Sequence, residues 1–297
     1  MAHSWFLLFI FGVTIGSFLN VLSRRYDSEG RIFTSRVFGG RSRCETCGED
    51  LRWFELIPFV SFIIQRGKCR RCGAQLSFQY PIIELLSGAA LAGIPYVVAS
   101  TYGVGLAFRV GSELPVSYYA TTALFAIALF VYLFIAAVDA RLTIIPDQSN
   151  VLLVLLGIGR IGIDMFSGTW GDFSGSFIGH YAPLFGLREN IWLNHGAAAV
   201  FGGLFFGAIF LLSRGRAMGF GDVKLAAATG VLLGWPDTAL ALTIAFIVGA
   251  FFGILLMVRR LKGMKSSIPF GPFIVVGVLL VIFFGERIMD GYFALFP

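Results

Sequence analysis

The chain has 297 residues, of which 57% are apolar and only 13% charged, and its mean hydropathy is +0.82. Soluble globular proteins carry charge at about a quarter of their positions, so this composition excludes that class. It predicts an all-α membrane protein that crosses the bilayer several times. The net charge of +6 would suggest a nucleic acid partner only if the basic residues formed a patch of their own.

Eight apolar segments are long enough, or nearly so, to cross about 30 Å of hydrocarbon as helices. We place them at residues 4–22, 81–99, 117–138, 150–166, 196–213, 222–235, 238–258 and 268–285. The first lacks the basic start and small-residue cleavage site of a signal peptide, so we expect it to be retained. The sixth is short, and the count falls to seven if it only enters the membrane.

The basic residues mark one side of the membrane. Nineteen of the 23 lysines and arginines lie in the connections 23–80, 139–149, 214–224 and 259–267. Cytoplasmic loops carry such an excess, so we predict that these connections are cytoplasmic and that both termini face outward. Topology then accounts for the charge, and we predict membrane lipid but no nucleic acid as a partner. The apolar run 53–64 is too short to span and is expected at the membrane interface.

Four cysteines form two Cys-x-x-Cys pairs in the first of these connections, Cys44 with Cys47 and Cys69 with Cys72. Two such pairs are typical of a tetrahedral zinc site. Disulfides are disfavoured because the cytoplasm is reducing, which leaves redox-active or unliganded thiols as the alternative. Four cysteine ligands leave no open coordination position, so the predicted zinc ion is structural.

Two carboxylates, Asp139 and Asp222, lie at the predicted cytoplasmic ends of apolar segments. A charged side chain at membrane depth costs about 2.5–3.5 kcal/mol on insertion scales, so each is a functional candidate. Two carboxylates that meet cannot easily both ionise, and one then keeps a proton. This is the arrangement with which an aspartic peptidase activates water and protonates the leaving amine.

Simpler structural roles compete with this hypothesis. Asp147 follows Pro146 and is most simply a helix cap or first-turn acid, and Asp222 could likewise only cap its helix. Gly219 and Gly221 favour a functional role for Asp222, because they allow another chain to approach closely. In the fourth segment Arg160 and Asp164 are four residues apart and are expected to form a structural ion pair near the outer end, with a proton or ion path as the alternative. The outward loop 167–195 shows no helical period and receives no predicted role.

The whole set of residues resembles the type IV prepilin peptidases, also called leader peptidase/N-methyltransferases, which are membrane aspartic peptidases with a Gly-x-Gly-Asp motif. The likeness rests on an ordered series of short motifs: GSFLNV at 16–21, the four cysteines with RGKC at 66–69, YPIIEL at 80–85, Asp139 followed by IPD at 145–147, GFGDVK at 219–224 and IPFGP at 268–272. No single motif is specific, whereas their order along the chain is.

The resemblance implies that Asp139 and Asp222 are the catalytic pair and that Asp147 is not catalytic. The motif residues expected to support the pair are Gly219, Gly221, Lys224, Pro146 and Asp147. It also implies cleavage of the basic leader of type IV prepilins or secretion pseudopilins, after a Gly on the cytoplasmic side. In many members the new N-terminal residue is then methylated with S-adenosylmethionine, for which no binding residues are predicted.

The expected organisation is a first span at 1–22, a cytoplasmic zinc-binding domain associated with methylation at 23–80, and a transmembrane aspartic peptidase domain at 81–297. A protein of this kind belongs in the bacterial cytoplasmic membrane and serves type IV pilus assembly or protein secretion. Two other classes stay open: a proton-coupled transporter or channel that uses the same acids, and a zinc-loop scaffold without catalysis. The sequence leaves the oligomeric state open.

Overall fold

The computed structural model describes residues 2–26, 39–110, 113–170, 174–259 and 268–295. Within these ranges the chain is helical, and its only β-structure is two isolated bridges. The α-helices are α1 (Ala2–Arg25), α2 (Val60–Ile64), α3 (Gln79–Thr101), α4 (Gly105–Val110), α5 (Val116–Leu142), α6 (Asp147–Ser167), α7 (Ile191–Ser213), α8 (Phe220–Leu233), α9 (Asp237–Val258) and α10 (Gly271–Phe293). Short 3₁₀ helices occupy Trp53–Leu56 and Gly179–Phe185.

Seven of these helices are long and apolar enough to cross a membrane: α1, α3, α5, α6, α7, α9 and α10. All eight predicted segments are therefore helical, and seven have spanning length. The exception is α8, whose 14 residues rise about 21 Å and fall short of a hydrocarbon core of about 30 Å. Of the predicted basic connections, residues 27–38 and 260–267 lie outside the described ranges.

The chain divides into two compact units. The first unit comprises Met1–Gly93 together with Leu129–Val138 from the middle of α5. Its core is formed by apolar side chains of α1, α3 and that stretch of α5, among them Leu19, Ile83, Tyr132 and Ile135. The predicted interfacial run 53–64 folds in this unit as a 3₁₀ turn followed by α2, and much of its apolar surface is exposed.

The second unit comprises Ile94–Ala128 and Asp139–Pro297. At its centre α8 packs antiparallel to α7 and parallel to α6, and Leu225, Ala226 and Leu232 are fully buried. The approach to α7 is very close, because a Cβ on Gly230 would lie 2.4 Å from the Cα of Ala199. Such packing through small residues is typical of membrane helices. The short helix α8 thus extends from Asp222 at one end of the unit to Leu233, near Arg160, at the other.

Candidate active site and metal centre

Asp139 lies in the last turns of α5, where the chain turns towards α6. The helix ends because Thr143 adopts a left-handed conformation (φ 54°) and donates its N–H to the Asp139 carbonyl at 2.8 Å. The side chain of Asp139 is only 4% exposed, and its Oδ2 accepts the backbone N–H of Gly271 at 2.9 Å. A Cβ on Gly271 would lie 2.7 Å from that oxygen, so only glycine allows this contact.

Asp222 lies in the first turn of α8 and is 7% exposed. Its Oδ2 accepts the backbone N–H of Gly219, the N-cap residue, at 3.1 Å. This is the contact in which the third residue of a helix binds back to the N-cap in a capping box. The simple interpretation as a helix cap is therefore confirmed, but it uses one oxygen of the carboxylate. Among the described residues, Oδ1 of Asp222 and Oδ1 of Asp139 have no hydrogen-bond partner.

The two carboxylates lie at the same end of the second unit and are close enough for the charge of Asp139 to act on Asp222. Gly221, next to Asp222 in the chain, packs against Ile145, and a Cβ on it would lie 3.1 Å from the Cβ of Ile145. Both groups are buried, so their repulsion is weakly screened, and the ionisation of one disfavours that of the other. The arrangement can hold one proton between two carboxylates.

Lys224, the lysine that follows Asp222 in the chain, does not pair with either carboxylate. Lys224, two residues after Asp222, instead binds Asp147 Oδ1 through its Nζ at 2.8 Å. Asp147 is the first residue of α6, as predicted for a first-turn acid, and its side chain is 68% exposed against 39% for Lys224. Asp147 therefore lies in an exposed ion pair, unlike the two buried acids. Pro146 immediately precedes it and forms the start of α6.

The opposite end of the second unit holds a different set of buried charges. Arg160 and Asp164 are both fully buried and pair at 3.6 Å, which confirms the predicted ion pair. Arg160 Nη1 also donates to the carbonyls of Leu232 at 2.7 Å and Leu233 at 2.9 Å, and its Nη2 donates to the carbonyl of Gly175. The guanidinium thereby binds the C-terminal carbonyls of α8, where a positive charge is favourable.

Asp237, at the start of α9, completes this network and was not singled out in the sequence. Its Oδ1 accepts the hydroxyl of Ser176 at 3.0 Å and the N–H groups of Phe177 and Ile178 at 3.1 and 3.2 Å. Its charge also acts on Arg160. The loop 167–195, which had no predicted role, is thus held to α6, α8 and α9 by buried polar contacts.

The four cysteines form a compact cluster in the first unit. In the first Cys-x-x-Cys turn Cys44 donates its N–H to the Glu49 carbonyl at 3.0 Å, and Gly48 donates to the Cys44 carbonyl at 2.9 Å. The same two bonds recur in the second turn at 2.8 and 2.9 Å, and in both turns the following glycine, Gly48 or Gly73, has a left-handed φ near 70°. The sequence therefore folds two equivalent turns towards each other.

The sulfur positions suit a metal ion. All four cysteines are free, and their sulfur atoms lie within 4.8 Å of one another, with Cys44 and Cys72 3.9 Å apart. Sulfur atoms bound to one tetrahedral zinc ion are about 3.8 Å apart, given Zn–S bonds of about 2.3 Å. Backbone N–H groups of Cys47 and Thr46 lower the pKa of the Cys44 thiol, which favours the thiolate that binds metal.

Most predicted site residues are thus brought into two clusters, the carboxylate end of the second unit and the cysteine cluster of the first. Sequence reasoning missed the role of Gly271, which supplies the hydrogen bond to Asp139. The signal was present, because the IPFGP motif at 268–272 places a Gly-Pro at the start of α10. It also missed Asp237, which the sequence presents only as an acid at a helix start.

Comparison with known proteins agrees with the motifs. Residues 10–98 match the family described as the bacterial peptidase A24 N-terminal domain, and residues 123–254 match the type IV leader peptidase family. A prepilin leader peptidase/N-methyltransferase of Bacillus subtilis (strain 168) is 30% identical over 290 residues, which cover 96% of each chain. No solved structure shows a significant match.

Two proteins of the same name are similar over nearly their whole length. The protein of Aeromonas salmonicida (strain A449) is 28% identical over 306 residues, which cover 96% of this chain and 92% of its own. The protein of Pseudomonas aeruginosa is 28% identical over 305 residues, which cover 95% of this chain and 91% of its own. The similarity therefore includes both the cysteine cluster and the carboxylate end.

Proposed function

This chain belongs to the type IV prepilin leader peptidase family, and from that membership we propose that Asp139 and Asp222 are its catalytic pair. The observation that carries the proposal is their placement: two buried carboxylates lie at one end of the unit, close enough to interact, and neither forms an ion pair with a described lysine or arginine. The substrates are type IV prepilins or related pseudopilins. Family membership leaves the transporter and scaffold alternatives without support.

The mechanism follows from the shared proton. The ionised carboxylate accepts a proton from a water molecule as that water attacks the carbonyl carbon of the scissile bond. The protonated carboxylate then donates its proton to the leaving amine. Because Gly271 and Gly219 each fix one oxygen through a backbone N–H, the Oδ1 atoms of both acids stay available for water and substrate. This pre-orientation lowers the entropic cost of reaction.

The cysteine cluster fits a structural zinc ion with Cys44, Cys47, Cys69 and Cys72 as ligands. The fit rests on the sulfur spacing and on the two matching turns, and four thiolates leave no position for a reacting water. Bound zinc supplies folding energy to residues 39–78 of the first unit. We expect purified protein to contain one zinc per chain, measured by metal analysis, and a Cys69→Ser variant to lose it.

The orientation rests on the charge distribution. We propose that the carboxylate end faces the cytoplasm and that both termini face outward, because the basic connections 139–149 and 214–224 join helices at that end of the second unit. The proposed partition is a first span at 1–22, a zinc-binding domain linked to methylation at 23–80 and the peptidase domain at 81–297. S-adenosylmethionine supplies the methyl group for the new N-terminal residue. The protein is located in the bacterial inner membrane.

The test is co-expression of the chain with a type IV prepilin, followed by mass spectrometry of the substrate's N-terminus. The proposal predicts a substrate shortened by its basic leader, with a mass increase of one methyl group on the new first residue. A parallel culture without the chain should yield intact prepilin. An intact leader in the presence of correctly inserted protein would contradict the peptidase assignment, and a shortened but unmethylated product would contradict only the second activity.

A further inference from the structure

The first unit contains a large cleft that the peptidase mechanism does not use. Its volume is about 970 Å³, which lies in the range of about 300–1,000 Å³ that is usual for small-molecule sites. Residues of α1, the first cysteine turn, α2 and the start of α3 line it. The cleft next to the cysteine cluster is therefore large enough to hold a small molecule.

Glu84 lines this cleft although it belongs to the apolar helix α3. Its side chain is buried, with the residue 5% exposed, and Oε2 accepts the backbone N–H of Phe59 at 2.7 Å. The hydroxyl of Ser17, another lining residue, also hydrogen-bonds this carboxylate. A buried carboxylate without a basic partner is costly unless it binds something positive. Glu84 therefore gives the wall of the cleft a buried acidic group that has no basic partner among the described residues.

The segment bonded to Glu84 is held in an unusual conformation. Phe59 has a φ of 59°, a left-handed value that is a genuine outlier for a bulky residue. Residues in such conformations persist where surrounding contacts impose them, often at functional sites. The hydrogen bond from Phe59 to Glu84 is one such contact, and it ties the interfacial segment to the wall of the cleft.

The other walls of the cleft carry basic and aromatic side chains. Arg24 lies over the ring of Tyr80 at 5.2 Å and pairs with Glu45 at 2.9 Å, and all three line the cleft. The rings of Phe62 and Phe78, with centroids 5.5 Å apart and planes inclined at 59°, add an aromatic surface. S-adenosylmethionine has one carboxylate, a sulfonium and an ammonium group, and an adenine ring. The cleft lining offers arginines for the carboxylate, acidic side chains for the two cationic groups and aromatic rings for the adenine.

We propose that this cleft is the binding site for S-adenosylmethionine, in which Glu84 attracts the positively charged sulfonium and ammonium groups and Arg24 binds the carboxylate. The inference rests on the proposed methyltransferase function. The chief rival occupant is the phosphate of an anionic lipid headgroup, which several arginines of the cleft would attract. Glu84, Glu55 and Glu45 would repel that phosphate, and the aromatic wall would serve no purpose for it.

Binding of two related ligands to the full-length protein in detergent tests this assignment. S-adenosylmethionine carries the sulfonium charge, whereas S-adenosylhomocysteine has a neutral thioether in its place. We expect Glu84→Gln to weaken S-adenosylmethionine about tenfold or more in calorimetric titrations, and to weaken S-adenosylhomocysteine clearly less. Arg24→Gln should weaken both ligands to a similar degree, because both carry the carboxylate. The control Glu49→Gln makes the same change outside the cleft and should leave both affinities unchanged.

Equal affinities of wild type and Glu84→Gln for both ligands would overturn the site, and so would a loss confined to anionic lipid binding. If Glu84→Gln does not fold, ultraviolet cross-linking of radiolabelled S-adenosylmethionine to the wild-type protein tests whether the ligand binds in this cleft. Label in peptides containing Phe62 or Tyr80 supports the site, and label confined to other peptides overturns it. Wild type that cleaves prepilin without binding S-adenosylmethionine contradicts this inference alone, whereas binding without cleavage contradicts only the peptidase assignment.

Discussion

The two ends of the second unit both bury carboxylates, but they treat the charge in opposite ways. At one end Asp164 and Asp237 share Arg160 and several backbone or hydroxyl donors. At the other end Asp139 and Asp222 each receive one backbone N–H and lie close to each other. The negative charges at the first end are balanced by a buried arginine, whereas those at the second end are not balanced by a described basic side chain.

The difference separates a structural role from a chemical one. A buried ion pair that also makes hydrogen bonds to the backbone holds elements together, and breaking it leaves an uncompensated charge. Two buried carboxylates without a paired cation lower the stability of the fold, but they keep a proton available for acid–base chemistry. The peptidase activity of the family accounts for this arrangement. The lysine that follows Asp222 emphasises this contrast, because Lys224 binds the exposed Asp147 instead of the pair.

The largest effect is expected from Asp139→Asn and Asp222→Asn. Each change removes one partner of the acid–base pair, so we expect prepilin cleavage to fall by about 10²–10⁴-fold or more. Both variants should insert and melt like wild type, because an amide retains the acceptor for Gly271 or Gly219. Cleavage is measured by mass spectrometry of the substrate's N-terminus. Full processing by either variant would remove that acid from the mechanism.

The opposite result is expected at the compensated end. Arg160→Met removes the cation that pairs with Asp164 and acts on Asp237, and it leaves these buried acids with the weaker influence of Arg188. The loss should lower the free energy of unfolding by about 3–5 kcal/mol. Thermal unfolding in detergent measures the loss. The fraction that stays folded should cleave prepilin at nearly the wild-type rate.

A matched control for that change is Arg287→Met. Arg287 is exposed on α10, and its replacement should alter the free energy of unfolding by no more than about 0.5 kcal/mol. If Arg160→Met abolished cleavage while melting like wild type, the Arg160 network would have a chemical role, and the contrast between the two ends would be wrong.

An intermediate effect is expected from Gly271→Ala. The added Cβ would lie 2.7 Å from Asp139 Oδ2, so the carboxylate or the start of α10 must move. A displacement of about 1 Å can cost about a hundredfold in rate, and we expect a loss of about 10- to 100-fold in cleavage. On the same helix Gly291→Ala meets nothing within 4 Å and should cleave normally. Equal rates for both variants would mean that Gly271 does not position Asp139.

The smallest effect is expected from Asp147→Asn. Its carboxylate is largely exposed and pairs with Lys224, and exposed ion pairs contribute about 0–1 kcal/mol. Cleavage should fall less than about tenfold, and melting should change little. Lys224→Gln should behave in the same way, because it removes the other partner. Loss of cleavage comparable to that of Asp139→Asn would instead identify Asp147 as a member of the catalytic pair.

The sequence predicted the helices and the cysteine cluster well, because apolar length and Cys-x-x-Cys spacing are local properties. It left open whether Asp139 and Asp222 come together. All eight predicted segments are helical, and the Arg160–Asp164 pair follows from a four-residue spacing. The length of α8 is also local, and its 14 residues were visible as a short segment. Asp222 both caps α8 and lies close to Asp139. Local sequence could not decide between these two roles, and the structure shows that one side chain fills both.

The rest depends on contacts between residues far apart in the chain. Gly271 lies 132 positions from Asp139, and no periodicity connects them. Asp237 resembles any acid at a helix start until Ser176 and Phe177 are seen to bind it. Glu84 was visible in the YPIIEL motif, but only the fold brings Phe59 to it. Side-chain partners of this kind follow from packing, which sequence spacing does not reveal.

The central claim is that Asp139 and Asp222 act as one pair that shares a proton. The rate of prepilin cleavage by wild type as a function of pH tests it most directly, measured as kcat/KM in proteoliposomes. The account predicts a bell-shaped profile: the rate rises as the pair loses its first proton and falls as it loses the second. A rate that rises with pH and then stays constant would show that only one group titrates, and it would contradict the shared proton.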